Sequence, residues 1–271
     1  MTDAPPPIDD AGNGLATIGV FLATFAAWAS LPISLWQAAP DLSFGFTQDN
    51  VIFLVAGSSL LATVTFAAGA VGLGSRSLLT AALVVTSLHL ALHVAIGGVE
   101  HVLGARPALV LGTTAAALVL AVTLVGVIVG WFATRRGPTA MRWLALGIVV
   151  AAGCLIVFQE VSTIVPYIDL AAAVPLILTN VLASVAVVVA AGFLGLPRER
   201  ARYIAAGLFG LLVAWFLVGV SWSFSVDRYY LGYTVGAAVR AAAYLAAAVL
   251  AVRAGLRLPG RQQADADEVT A

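Results

Sequence analysis

Eight apolar runs alternate with short polar breaks along the 271-residue chain, at 15–36, 50–73, 77–97, 108–133, 143–165, 170–194, 203–220 and 229–251. About 20 mainly apolar residues cross the hydrocarbon layer as a helix. A segment in lipid must also satisfy its own backbone groups, so each run predicts a helix rather than an open strand. The expected fold class is all-α, a polytopic integral membrane bundle of about eight transmembrane helices. Residues 1–14 then form a cytoplasmic tail, 15–133 carry the first four helices, 143–251 the last four, and 252–271 a second cytoplasmic tail.

The arginines set the expected orientation. Arg76, then Arg135, Arg136 and Arg142, then Arg198, Arg200 and Arg202, then Arg253, Arg257 and Arg261 fall on every second break, against Arg106 and Arg228 on the others. Translocation disfavours such charges, so the rich side is cytoplasmic, and an even number of spans puts both termini there. Trp36, Trp131, Trp143 and Trp222 sit at run ends, where an amphipathic indole suits the headgroup layer. The first fourteen residues hold Asp3, Asp9 and Asp10 without a basic residue, unlike the start of a secretory signal, so the first helix is expected to be retained.

Composition narrows the function classes. Apolar residues make up 62% and charged residues 10%, which leaves no polar stretch long enough for a separate soluble catalytic or nucleotide-binding domain. Thirteen basic residues balance thirteen acidic ones, so nucleic acid is not expected as a partner. All the basic residues are arginine, and without lysine no retinal Schiff base can form. Cys154 stands alone inside an apolar run and reads as an inert small hydrophobe, offering neither a disulfide nor a thiolate metal site.

Two short stretches resemble each other, AAGAVGL at 67–73 and AAGFLGL at 190–196. Four spans lie between them, so a true duplication makes two parallel four-helix repeats about an axis along the membrane normal. Chance similarity between Ala/Gly-rich helices is the alternative. Gly126 and Gly130 form a GxxxG pair, and Ser59, Thr63 and Ala67 a small-residue row, both expected to pack helices closely. Pro32 and Pro175 are expected to kink the first and sixth helices.

Polar groups inside the spans are the candidate chemistry, because each is costly in hydrocarbon unless paired or hydrated. Thr86, His89 and His93 form a stripe on the third span, extended outward by Gly97, Glu100 and His101. Helix-to-helix hydrogen bonding, proton or solute handling, and a divalent metal bound by His89 and His93 with Glu160 as a third ligand are the three roles open to it. Two histidines on one helix cannot clamp a haem iron from opposite sides, so haem is not expected.

In the second half Gln159, Glu160, Asn180 and Arg240 occupy span positions. Arg240 is the most expensive, about 2.5 to 3.5 kcal/mol on the insertion scale. It should pair with Glu160 or hold an anion. The expected function is a small permease-like or proton-handling protein with a polar site of His89, His93, Glu160, Asn180 and Arg240 in the outer half of the bilayer, between the third helix and helices five, six and eight. Its partners would be membrane lipid and a small solute or proton, with no cofactor. The alternatives are a non-catalytic subunit within a homo-oligomer or larger membrane complex, and a metal-dependent membrane enzyme.

Overall fold

Helices account for nearly all of residues 10–29, 48–102, 107–136, 139–164, 170–225 and 231–257, which the computed structural model describes. They are α1 (Asp10–Trp28), α2 (Gln48–Leu73), α3 (Arg76–Val102), α4 (Pro107–Arg136), α5 (Thr139–Ile164), α6 (Leu170–Gly195), α7 (Glu199–Ser225) and α8 (Leu231–Leu256). Each coincides with one apolar run, and among the described residues there is no strand. The second part of the first run, with Pro32, lies outside the described residues. α6 continues through Pro175, near its start.

The stretches Arg76–Val99, Val110–Thr134, Ala140–Phe158, Glu199–Val218 and Thr234–Leu256 are long and apolar enough to cross a membrane. Their outward faces carry large hydrophobes, with Leu88 67% and Leu211 68% exposed. Contiguous apolar surface on this scale suits lipid and not water. The chain is a helical membrane bundle. Cys154 belongs to this outward surface, exposed on α5.

The interior divides into two cores. One gathers Leu60, Val64 and Val71 of α2, Leu79 of α3, Val119, Leu120 and Val127 of α4, and Leu146 and Val149 of α5. The other gathers Val20 of α1, Val187 and Leu194 of α6, Phe209 and Leu212 of α7, and Tyr244 of α8. The first core is built mainly by α2–α5, with Val188 of α6 and Ala201 of α7, and the second mainly by α1 and α6–α8, with Ala62 of α2. Closely packed pairs run within the cores, α4 on α5 and α8 on α1, α3 on α4 and α7 on α8, and between them, α1 on α2 and α5 on α6.

α2 and α6 cross at the centre, and the two similar stretches meet there. A Cβ at Gly72 would strike the carbonyl oxygen of Gly192, and one at Gly195 would strike the backbone of Gly72 and Leu73 and come within 2.9 Å of the Gly69 carbonyl oxygen. Backbone-to-backbone approach of this kind is open only to glycine. The GxxxG pair on α4 acts similarly: a Cβ at Gly126 would lie 2.6 Å from Val149 of α5, and one at Gly130 3.1 Å from Val71 of α2.

Arginines close the same end of the bundle. α2 stops at Gly74, whose φ of +62° forms a left-handed cap, its N–H reaching Ala70 O at 3.0 Å. Arg142 of α5 donates from Nε to Val71 O at 3.1 Å and from Nη2 to Gly72 O at 2.5 Å, covering carbonyls left open at the end of α2. Arg202, fully buried, donates to Leu196 O at 3.2 Å, Ala254 O at 2.6 Å and Asn13 Oδ1 at 3.3 Å. It thus joins the α6–α7 turn, the end of α8 and the start of α1.

Candidate functional site

His89 stands halfway along α3, facing α2. Its Nε2 is 3.1 Å from Ser59 Oγ and its Nδ1 is 3.1 Å from Thr63 Oγ1. Ser59 and Thr63 are four residues apart and so share one face of α2, which brackets the ring. The small-residue row read from sequence as packing therefore also supplies hydroxyls, a role that its coincidence in type with a helix–helix seam concealed.

His93 lies one turn further along α3 and is buried, 1% exposed. Its Nδ1 is 3.0 Å from the His89 carbonyl oxygen, and the two rings meet edge to face with centroids 4.6 Å apart. The other nitrogen, Nε2, is buried without a hydrogen-bond partner. So is Oγ1 of Thr86, two turns earlier on the same face. α3 packs on α2 and α4, and Thr113 of α4 comes beside the stripe, its Cγ2 3.4 Å from where a Cβ on Gly97 would stand. His101, two turns beyond His93, is exposed.

Arg240 belongs to a different neighbourhood. It lies on α8, with its guanidinium carbon 5.2 Å from the centroid of the Phe216 ring on α7. One turn along, Tyr244 stacks on both Phe209 and Phe216, at centroid distances of 6.0 and 5.8 Å. Tyr244 and Phe209 are fully buried. A guanidinium over an aromatic face is stabilised by the ring quadrupole, the more so away from water. The aromatic partner was not foreseen; it is visible in the sequence only as phenylalanines seven residues apart on α7.

The structure therefore brings His89 and His93 together with Ser59, Thr63, Thr86 and Thr113, and sets Arg240 among α7 and α8 in the other core. Asn180 is half-buried on α6. Glu160 lies on α5, but its side chain is outside the described residues, as is that of Gln159. Among the described residues no three His, Cys, Asp or Glu side chains gather in a metal-binding group. No protein-family model, curated protein or solved structure matches the chain.

Proposed function

We propose that the protein is a small permease-like membrane protein of eight spans that handles a proton or small solute at the His89–His93 site between α2, α3 and α4. The observation that carries this is His93, a buried imidazole inside a spanning helix with one ring nitrogen left open. A group so costly in lipid is a functional candidate by default. The bonds from His89 to Ser59 and Thr63 also favour a second reading, in which the site joins helices within a larger membrane complex.

Two parallel four-helix repeats are part of the proposal. α3 and α7 are both 27 residues long, and α2 and α6 both 26. Gly72 meets Gly192 while Gly195 meets Gly69, the reciprocal contacts that a two-fold axis produces. The exchange of α1 and α5 between cores obeys the same axis. The displacement that aligns 67–73 with 190–196 also aligns Thr86 with Phe209 and His93 with Phe216. One half is thus filled by stacked aromatics where the other holds polar groups, which supports a specialised site in the first half. The arginine-rich end, and both termini with it, is cytoplasmic in this reading.

Proteoliposomes loaded with a pH-sensitive dye, with a potassium diffusion potential imposed by valinomycin, test it. Internal pH should move faster than in protein-free vesicles, and the excess should vanish in the His89→Ala, His93→Gln variant. Equal rates in protein-containing and empty vesicles would reject proton handling and leave the helix-joining role.

A further inference from the structure

We infer that Nε2 of His93 is the atom in this site that takes up the proton; this rests on the proton-handling reading above. The hydrogen-bond network assigns the hydrogens. Thr63 Oγ1 donates its one hydrogen to Ser59 O at 2.9 Å, so His89 Nδ1 must carry the proton that faces Thr63. His89 Nε2 faces the Ser59 hydroxyl at 3.1 Å. Both nitrogens of His89 are thereby engaged by α2.

His93 differs at one atom. Its Nδ1 faces a carbonyl oxygen, which only accepts, so Nδ1 carries the hydrogen and the neutral ring presents a lone pair at Nε2. That lone pair has no partner.

Protonation places the new N–H on the Nε2 lone pair while Nδ1–H stays on the His89 carbonyl, and release reverses the step through the same atom. His89 is the titratable neighbour on α3 itself. The described side chains of α2 (59–73) and α4 (110–134) include no ionisable group; Asp49, Glu100, Arg135 and Arg136 have side chains outside the described residues.

Nitrogen-15 spectra of histidine-labelled full-length protein in nanodiscs, recorded over a pH series, test the assignment. His101→Ala, at an exposed position, removes one signal, and Ser59→Ala, which perturbs only the ring bonded to it, separates His89 from His93 without replacing a buried histidine. At high pH both His89 and His93 should carry hydrogen on Nδ1. On acidification the new hydrogen should appear on His93 Nε2. Hydrogen on His93 Nε2 at high pH, or a new hydrogen on His89 alone, would overturn the inference. Proton flux in protein whose His93 never converts would reject this assignment alone, whereas conversion without flux would reject the transport reading alone.

Discussion

Alanine at Gly72 or Gly195 is the sharpest perturbation of the central crossing. At 72 the new methyl would overlap the Gly192 carbonyl oxygen and lie 3.2 Å from the Gly195 Cα; at 195 it would lie 2.6 Å from the Gly72 carbonyl carbon. These are backbone atoms of two central helices, so no rotamer change relieves them. α2 and α6 must separate by roughly 1 Å, which forfeits a quarter to a half of the dispersion attraction at the contacts involved. Overpacking typically costs about 1 to 3 kcal/mol, and a rigid backbone neighbour puts this case at the upper end. Alanine recovers up to about 1 kcal/mol of helix propensity over glycine. The expected net loss is about 2 kcal/mol or more for each variant. Gly207 and Gly210 of α7 have nothing within 4 Å of an added Cβ, so alanine there should be neutral or stabilising by up to about 1 kcal/mol. Unfolding in detergent followed by circular dichroism compares the four. Gly72→Ala as stable as Gly207→Ala would refute the close-packed crossing.

The remaining expectations are independent of the crossing. Arg202→Gln leaves the buried acceptors on Leu196, Ala254 and Asn13 short of donors and should cost about 2 to 5 kcal/mol in thermal unfolding, against about 0.5 or less for exposed Arg257→Gln. A double-mutant cycle of Arg240→Gln with Phe216→Leu should give a coupling of about 1 to 2 kcal/mol from the guanidinium–ring contact. The same cycle with Glu160→Gln tests the ion pair expected from sequence: losses smaller than their sum sustain it, and additive losses remove it. Cysteines introduced singly by Ser43→Cys and Gln262→Cys in a Cys154→Ala background should label with an external impermeant thiol reagent at 43 and not at 262; the reverse pattern would invert the orientation.

Helix positions were legible because lipid makes two demands at once, apolar length and internal backbone bonding, and both show in the run lengths. The histidine stripe was legible because polar residues are rare on such helices. Its partners were not. Ser59 and Thr63 suit close packing and hydrogen bonding equally, and only the position of α2 against His89 distinguishes the two. The arginines read alike as topological signals, yet Arg142 and Arg202 turn inward to cap helix ends while Arg76, Arg198 and Arg257 stay exposed. The placement of Arg240 beside Phe216, away from His93, was hidden for a related reason. Depth along a helix can be read from the chain, but which helices neighbour one another depends on side-chain packing such as the Gly72–Gly195 crossing and the exchange of α1 and α5 between cores.

A functional site and a helix clamp respond oppositely to two small substitutions, so proton flux and thermal stability measured together on His93→Gln and Ser59→Ala test the central claim most directly. His93→Gln keeps a polar group of similar reach and removes the basic nitrogen; Ser59→Ala loosens the tie between α2 and α3 and keeps both imidazoles. The expected result is loss of flux with near-normal stability for His93→Gln, and retained flux with stability lowered by about 1 kcal/mol for Ser59→Ala. Flux unchanged by His93→Gln, with stability as its only casualty, would contradict the account.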